Sequence, residues 1–329
     1  RSGIMARHQG GLWWHTVPPE APKAMHGLRY VNRELRRAAA LHRTGLKMGA
    51  TLIMANNGPL DNAGAGFAAR QLSIPLVQYI RGPFYAGRLA RPALGLASLV
   101  LTVGAEARAA VRMNGVDASK IYAVDEGLDA RQWPSLREGD RFLWAGVLTK
   151  WKGLELMLDA WRDMERVTPD PALDICYVPM PSGHPDADPL PAAPPGVCFH
   201  RSPADLDAIR RQCAVYVHTS LRPEPFGRTI IEAMAAGLCP VVPDTGSGTR
   251  LVEHGVSGMV YRAGDRDSLR RTLSVLAQDV ALRTQLGLGA AHAGQYHRAD
   301  TVFDGLIEQL SRLAAGGTRK AWLFAAAHI

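Results

Sequence analysis

The sequence predicts an α/β protein with two Rossmann-like domains, each a parallel sheet with helices on both faces. Short apolar runs alternate with longer amphipathic stretches, which is typical of βαβ units in parallel sheets. The chain has 329 residues, 47% of them hydrophobic, which is enough for two domains with separate cores. Crossovers between parallel strands are right-handed, so repeated units build doubly wound layers.

The predicted elements follow one another along the chain with short connections. The predicted strands are 51–55, 75–80, 99–103, 121–124, 141–145, 173–178, 197–200, 215–219, 239–242 and 259–261. The predicted amphipathic helices include 29–47, 106–114, 153–166 and 205–213. The polar stretch 125–140, which carries Gly127 and Pro134, is predicted as the linker. We therefore expect a first domain over 1–135, a second over 136–295, and a helical segment over 296–329 that can cross back to the first domain.

The formal charge of +8 is distributed unevenly. Residues 1–135 hold 17 Lys and Arg against 8 Asp and Glu, a balance of +9, whereas the remainder holds 21 against 22, a balance of −1. A basic surface suits a phosphorylated substrate, an anionic lipid or nucleic acid. Because no zinc finger or RNP-type aromatic motif accompanies the charge, we expect no nucleic-acid partner. No apolar run reaches the roughly 18–20 residues of a transmembrane helix and no signal peptide is recognisable, so a cytoplasmic protein is expected.

Neither a metal nor a cofactor is predicted. The four cysteines, Cys176, Cys198, Cys213 and Cys239, are too widely spaced for a CxxC motif and are expected to be buried thiols of a cytosolic protein. The 11 histidines show no paired spacing of the kind that zinc ligands have.

The run 222–237, RPEPFGRTIIEAMAAG, follows a predicted strand and predicts a short helix. Pro225 suits the first turn of a helix, and Gly237 suits its C-terminal cap. Glu224 and Glu232 are then about 12 Å apart along the helix axis. Free N–H groups at a helix N-terminus bind phosphate, and carboxylates accept hydrogen bonds from sugar hydroxyls. The pattern suits a nucleoside diphosphate sugar, and it also suits a capping Glu224 with a salt-bridged Glu232.

The whole run closely resembles the EX7E motif of the retaining glycosyltransferases of family 4. This resemblance implies the GT-B fold, in which two Rossmann-like domains face each other across a cleft. It also implies that Glu224 orients the transferred sugar and that Glu232 binds the nucleotide. No strand is predicted before Gly10 and Gly11, where the family begins its first domain, so that domain is expected to be incomplete and the chain to lack an N-terminal part.

Three further segments extend the resemblance. The run 142–160 resembles the start of the family's second domain, with Lys152 before a glycine at a diphosphate position. Val147 stands where the family has a basic residue, so Lys150 or Arg228 is expected to supply that charge; both lysines also suit a solvated loop. The run 239–261 resembles the family's glycine loop, although Arg250 stands where the family often has Glu. Near 75–83, Arg81 stands where many relatives have a catalytic-site His, and it suits either phosphate binding or a structural ion pair.

The resemblance thus assigns roles to particular residues. The implied catalytic residues are Glu224, Lys152 and Arg81, and the implied donor-binding residues are Glu232, Lys150, Gly146, Phe226, Gly227, Arg228, Gly246 and Gly248. His15 is a further candidate for which a structural role is the simpler expectation.

The implied function is that of a retaining glycosyltransferase of the hexosyltransferase type. Its donor would be a nucleoside-diphosphate sugar, and its acceptor a glycan or a lipid-linked molecule in the synthesis of bacterial surface polysaccharide or glycoconjugate. The alternative is a non-catalytic module that binds nucleotide sugar or glycan, which the departures at Val147 and Arg81 and the missing strand favour.

The basic residues of the predicted helix 29–47 suggest where the protein works. Positions 29, 33, 36 and 37 fall on one helical face. Leu28, Leu35, Leu41 and the alanines 38–40 are expected to hold the opposite face on the domain. The pattern suits peripheral, salt-sensitive association with an anionic membrane without insertion, or simply a solvated basic helix.

Overall fold

The computed structural model describes residues 2–8, 11–17, 28–56, 58–82, 90–130, 133–164, 172–180, 188–314 and 322–326. The chain divides into two compact units. The first unit comprises Arg1–Asp125 together with Phe303–Ile329, and the second comprises Glu126–Val302. The units therefore divide ten residues earlier than the domain boundary expected after 135, and the C-terminal residues from Phe303 belong with the first unit.

The described elements alternate between strand and helix through most of both units. Up to the unit boundary they are β1 Ser2–His8, β2 Gly11–Val17, α1 Leu28–Met48, β3 Leu52–Asn56, α2 Ala63–Leu72, β4 Leu76–Ile80, α3 Ala90–Gly95, β5 Leu99–Thr102, α4 Gly104–Met113 and β6 Ile121–Ala123. The second unit contains β7 Arg141–Leu148, α5 Leu154–Arg162, β8 Leu173–Pro179, β9 Val197–Arg201, α6 Leu206–Arg211, β10 Cys213–Val217, α7 Arg228–Ala235, β11 Cys239–Pro243, α8 Gly248–Leu251, β12 Met259–Tyr261, α9 Arg266–Gln278 and α10 Val280–Gly294. Last come α11 Ala299–Leu313, within which the unit boundary falls, and β13 Trp322–Ala326.

The sheet of the first unit has the order β2-β1-β13-β3-β4-β5-β6. From β13 to β6 all neighbours are parallel, whereas β1 runs antiparallel to both β13 and β2. The expectation that no strand precedes Gly11 is therefore wrong. The reason is that β1 pairs with residues more than 300 positions later in the chain, which no local pattern reveals. The end of the C-terminal segment, expected to be helical, is likewise a strand.

All strands of the second sheet are parallel, in the order β12-β11-β10-β7-β8-β9. Its core contains an edge-to-face pair, Phe142 and Trp161, with ring centroids 5.2 Å apart. From β7 the chain adds β8 and β9 on one side, then crosses over to add β10, β11 and β12 on the other. The winding direction therefore changes between β7 and β10, and in open α/β sheets ligands bind outside the carboxyl ends of the strands at such a point.

Helix α1 packs against α2 through residues that recur every three or four positions: Glu34, Ala38, Leu41 and Gly45 are buried. Glu34 accepts a hydrogen bond from the Gly64 backbone N–H at 2.9 Å and so satisfies a free donor at the start of α2. Among the described helices, none combines the length and the hydropathy that a membrane span requires.

The outer side of α1 differs from the expected arrangement. Leu35, expected to hold the helix on the domain, is 57% exposed. Arg33 pairs with Glu34 at 3.0 Å, and the Arg37 guanidinium donates to the Asn62 side chain at 3.1 Å. The expected basic face is therefore split, because Arg33 and Arg37 lie at the edge of the packed side.

Candidate active site at the carboxyl edge of the second sheet

Two loops meet where the winding of the second sheet reverses. After β7 the chain forms a 3₁₀ turn, Lys150–Lys152, and the loop after β10 runs beside it. The Trp144 indole N–H donates to the Thr219 hydroxyl at 2.9 Å, and that hydroxyl donates to the Lys152 carbonyl at 2.9 Å. The Leu221 N–H donates to the Trp151 carbonyl at 2.7 Å. These bonds fix the backbone of Lys152 against the loop that follows β10.

Gly153 makes this close approach of the two loops possible. Its φ is +69°, and a Cβ at this position would lie 2.1 Å from the Thr219 carbonyl oxygen. Only glycine combines a left-handed backbone with room for that oxygen. Gly153 of the Lys-Gly pair in the sequence motif is therefore required by the packing of the two loops.

The junction brings two predicted catalytic side chains together. The Lys152 ammonium lies 2.5 Å from Oε2 of Glu224, and each side chain is 17% exposed. The Ser220 hydroxyl donates to the same oxygen at 3.4 Å, and the ammonium lies 4.1 Å from the centre of the Trp151 ring. A charged donor and a charged acceptor thus stand side by side at the edge of the sheet, where a diphosphate and a sugar hydroxyl can each find a partner.

His218, which the sequence did not single out, completes this cluster. It directly follows β10, its side chain is 5% exposed, and its Nε2 lies 3.7 Å from Glu224 Oε2. The pKa of His218 is lowered to about 4, chiefly because the ring is buried; the Glu224 charge opposes this shift and the Lys152 charge adds to it. The imidazole is therefore neutral near pH 7. Its only sequence signal is its position directly after an apolar strand.

The loop after β11 lies against the backbone of Glu224. Gly246 has a φ of +67°, and a Cβ there would lie 2.5 Å from the Glu224 backbone nitrogen. The Ser247 N–H donates to the Glu224 carbonyl at 2.9 Å. Gly246 thus allows a loop-to-loop contact that holds Glu224, in addition to any ligand contact that the sequence predicts. Gly248, the other glycine of this loop, begins α8 and packs closely on β11.

Buried polar atoms without a protein partner collect at this edge. Within the described parts of the chain, Thr149 Oγ1, His218 Nε2 and Ser247 Oγ are buried and have no hydrogen-bond partner. These residues follow β7, β10 and β11, three strands that are neighbours in the sheet. An unpaired buried polar group costs free energy, so such groups indicate a functional site.

The motif helix differs from its prediction at its start. Helix α7 begins at Arg228, after Gly227 with a φ of +83°, and Pro225 lies outside it. The expected separation of about 12 Å along a helix axis therefore does not apply, because Glu224 precedes the helix by a non-helical segment. The physical reason is the left-handed Gly227, which separates Pro225 from the first helical turn. At the other end, Gly237 has a φ of +77° and its N–H donates to the Met234 carbonyl, as expected of a C-terminal glycine.

Glu232 lies within α7 and is engaged by two arginines. Its carboxylate accepts a hydrogen bond from Arg210 at 3.0 Å and from Arg228 at 3.1 Å, and its side chain is 19% exposed. This matches the salt-bridged arrangement that the sequence left open, and it places Arg228 beside Glu232. A ligand hydroxyl would join this network as a further partner.

The remaining donor-site candidates lie nearby in the second unit. Phe226 is buried and packs edge-to-face on His297, with ring centroids 6.0 Å apart, while Arg250 lies 5.4 Å from its ring centre. Val147 is 37% exposed, and Lys150 is exposed. At Gly146, next to Val147 in β7, an added Cβ would lie 3.3 Å from the Trp144 ring.

Two candidates belong to the first unit. Arg81 directly follows β4 and is exposed. His15 lies in β2, and its side chain falls outside the described part of the chain. Over the described ranges, no three His, Cys, Asp or Glu side chains are grouped so that they could hold a metal ion.

Near the starts of β7 and β8, a shallow groove contains an ion cluster in which the Asp174 side chain is buried and the Arg141 and His200 side chains are each 33% exposed. Asp174 pairs with Arg141 at 2.5 Å and with His200 at 2.8 Å. Although burial alone would raise it, hydrogen bonds from these two side chains keep the pKa of Asp174 below its ordinary value. Because its charge is matched by its neighbours, we interpret this cluster as structural.

Comparison with known proteins extends these findings. Residues 139–279 match the family described as "Glycosyl transferases group 1". The matched segment is less than half of the chain, and it contains the junction of Lys152 and Glu224 and all of α7.

Two curated relatives of this chain share one name with each other, D-inositol 3-phosphate glycosyltransferase. The chain is 30% identical to the D-inositol 3-phosphate glycosyltransferase of Jonesia denitrificans, over 67% of this chain and 58% of that protein. It is 28% identical to the enzyme of the same name from Paenarthrobacter aurescens, over 61% of this chain and 54% of that protein. The chain thus spans somewhat more than half the length of these relatives.

Solved structures share the fold. HepE of Anabaena in complex with UDP superposes with a TM-score of 0.70 at 22% identity, covering 84% of this chain and 82% of that one. Sucrose-phosphate synthase of Thermosynechococcus elongatus gives a TM-score of 0.70 at 17% identity, covering 92% and 82%. These likenesses confirm the predicted α/β class with two Rossmann-like domains of the GT-B type.

Proposed function

We propose that this protein is a glycosyltransferase that takes a hexose from a nucleoside-diphosphate sugar and transfers it with retention of configuration. The observation that carries the proposal is the contact between Lys152 and Glu224 at the point where the winding of the second sheet reverses. The match of residues 139–279 to a glycosyltransferase family supports the same conclusion. UDP bound to the similarly folded HepE supports a nucleotide-sugar donor.

The proposed roles follow from charge. Lys152 stabilises the negative charge that grows on the leaving diphosphate, and Glu224 accepts hydrogen bonds from hydroxyls of the transferred sugar. Glu232 and Arg228 hold the nucleotide from the first turns of α7. The bond from the anomeric carbon to the diphosphate oxygen breaks, and a bond to the acceptor oxygen forms on the same face. The acceptor proton passes to the leaving diphosphate oxygen, so no protein nucleophile is required.

The proposed acceptor is a glycan or a lipid-linked molecule of bacterial surface polysaccharide or glycoconjugate synthesis. A phosphorylated acceptor is a specific version of this idea. It is supported by the balance of +9 over residues 1–135 and by the curated relatives, whose name includes inositol 3-phosphate. Arg81, exposed after β4, is the proposed phosphate contact in the first unit.

A donor panel tests the proposal. The purified chain is incubated with UDP-, GDP- and ADP-sugars, with and without acceptors that include D-inositol 3-phosphate, and release of the free diphosphate is measured. We expect release with one donor and its loss in Glu224→Gln, while the product keeps the anomeric configuration of the donor by NMR. If no donor supports release, the activity is refuted.

The second candidate is a non-catalytic module that binds nucleotide sugar. The specific observation in its favour is that Glu232 is already paired with two arginines and that Val147 replaces a basic residue of the family. Calorimetry separates the two, because this candidate predicts binding of a nucleotide sugar without its consumption.

We further propose that α1 attaches the protein peripherally to anionic membrane at the cytoplasmic face. Exposed Arg36 and Arg43 lie beside an exposed apolar stripe that includes Val31, Leu35 and Leu46, which are 50%, 57% and 64% exposed. Each basic residue near an anionic leaflet contributes about 1 kcal/mol. Because the proposed attachment involves no insertion, the apolar stripe is not buried in the bilayer and contributes little to it.

Vesicle co-sedimentation tests the membrane proposal. We expect binding to vesicles with anionic lipid at low salt, weaker binding at high salt, and little binding to neutral vesicles. Arg36→Glu with Arg43→Glu should abolish it, whereas Arg108→Glu, an exposed position on α4 of the same unit, should reduce it far less. Equal binding to both kinds of vesicle would refute the electrostatic attachment.

A further inference from the structure

His218 is held rigidly beside the candidate site. Its backbone N–H donates to the Val241 carbonyl at 2.8 Å, and its carbonyl accepts from the Tyr261 hydroxyl at 3.2 Å. Its side chain is 5% exposed. The backbone that carries the imidazole is therefore held by residues of β11 and β12.

The network around the ring fixes its proton. The Tyr216 hydroxyl donates to the Thr229 hydroxyl at 2.7 Å, so its oxygen is free to accept from His218 Nδ1 at 3.4 Å. Burial raises the pKa of Tyr216, which keeps that proton in place. We assign the neutral tautomer with the proton on Nδ1, which leaves Nε2 as a hydrogen-bond acceptor.

This acceptor faces another acceptor. Nε2 lies 3.7 Å from Oε2 of Glu224, and no described group donates to it. A neutral Nε2 and a carboxylate oxygen cannot hydrogen-bond to each other, and a buried acceptor without a donor is unfavourable. Glu224 Oε2 already accepts from Lys152 and Ser220, whereas Nε2 has no donor among the described residues. A pair of adjacent donors would satisfy Nε2 and could replace Lys152 at Oε2. Adjacent hydroxyls on a sugar ring are such a pair.

We propose that His218 binds the transferred sugar, with Nε2 accepting a hydrogen bond from the hydroxyl next to the one that Glu224 accepts. This inference rests on the proposed function. Lys152 turns toward the diphosphate, one hydroxyl takes its place at Oε2, and the adjacent hydroxyl reaches Nε2. His218 and Glu224 together then recognise a vicinal diol, which makes His218 a specificity-determining residue for the donor sugar.

Calorimetry with matched ligands tests this role. Wild-type protein is titrated with UDP, GDP and ADP and with UDP-glucose, UDP-galactose, GDP-mannose and ADP-glucose, and the tightest sugar nucleotide is compared with its own diphosphate. In His218→Phe, which keeps a ring but removes the acceptor, we expect the sugar nucleotide to bind roughly five- to tenfold more weakly, the change expected for one lost hydrogen bond. Affinity for the diphosphate alone should stay within about twofold, since no diphosphate contact is removed.

Deoxy analogues of the same donor, each lacking one sugar hydroxyl, test whether the effect of His218 depends on a particular hydroxyl. One analogue should bind wild-type protein roughly five- to tenfold more weakly than the parent sugar nucleotide. The same analogue should bind His218→Phe with no further loss, because the partner of the missing hydroxyl is already absent. His218→Gln, whose side-chain carbonyl is an acceptor, should restore part of the lost affinity. A structural role alone would not make the loss depend on one hydroxyl.

Nitrogen-15 NMR of labelled histidines gives a second readout. The His218 signals, assigned by their loss in His218→Phe, should show an unprotonated Nε2 that shifts with the sugar nucleotide and not with the diphosphate. The inference is overturned if His218→Phe weakens the diphosphate and the sugar nucleotide equally, or neither. If wild-type protein binds none of the ligands, the proposed function itself has failed, which is a different result.

Discussion

Substitution of Gly153 tests how the candidate site is built, independently of any ligand. In Gly153→Ala, the left-handed backbone costs about 1–2 kcal/mol. The added Cβ would also lie 2.1 Å from the Thr219 carbonyl oxygen, and overpacking of this kind costs a further amount of about 1–3 kcal/mol. The expected destabilisation is therefore about 2–5 kcal/mol.

Gly264→Ala is the matched control. Gly264 has a φ of +72°, and no described atom lies within 4 Å of the position that an added Cβ would occupy, so only the backbone cost of about 1–2 kcal/mol applies. Urea unfolding measures both free energies. Hydrogen exchange of the Leu221 amide, which donates to the Trp151 carbonyl, should accelerate in Gly153→Ala only. If Gly153→Ala is no more destabilising than Gly264→Ala, the close approach of the two loops does not constrain the site.

The remaining predictions concern charge. Lys152→Met should slow release of the diphosphate by roughly a hundredfold or more, whereas Lys150→Met, the same change at an exposed position, should slow it far less. Near-normal release in Lys152→Met would contradict its role and move that role to Lys150 or Arg228. Glu232→Ala should weaken binding of the nucleoside diphosphate by about 1.5–3 kcal/mol in calorimetry, and unchanged affinity would contradict its assignment. His218 has a pKa of about 4 when folded against 6.5 when unfolded, so the unfolded chain binds more protons between these values. Stability should therefore fall by roughly 3 kcal/mol as pH drops from 6.5 to 4, and urea unfolding of His218→Phe should show a shallower fall.

The sequence by itself predicted most of the second unit. Strands β7, β8, β10 and β11 each appear as an apolar run, because a strand buried on both faces carries its signal locally. Strands β9 and β12 are less buried, and their sequence signal is correspondingly weaker. The resemblance of the runs 222–237 and 239–261 to motifs of a known family pointed to Glu224, Glu232 and the glycine loop, because each motif occupies one continuous stretch of the chain. The start of α7 was misplaced because Pro225 suits a first helical turn, and the left-handed Gly227 that delays the helix has no distinct local signature.

Only the tertiary structure decided which segments that are far apart in the chain contact one another. Strand β1 was not predicted from the sequence, because its partner β13 lies at the other end of the chain. Leu35 is exposed because a different side of α1 packs against α2. The contact between Lys152 and Glu224 depends on β7 and β10 being neighbours, which follows from sheet order and not from spacing in the chain. The neutral state of His218 likewise comes from its burial among side chains of other elements. Burial arises only when the chain folds, so the local sequence around His218 does not predict it.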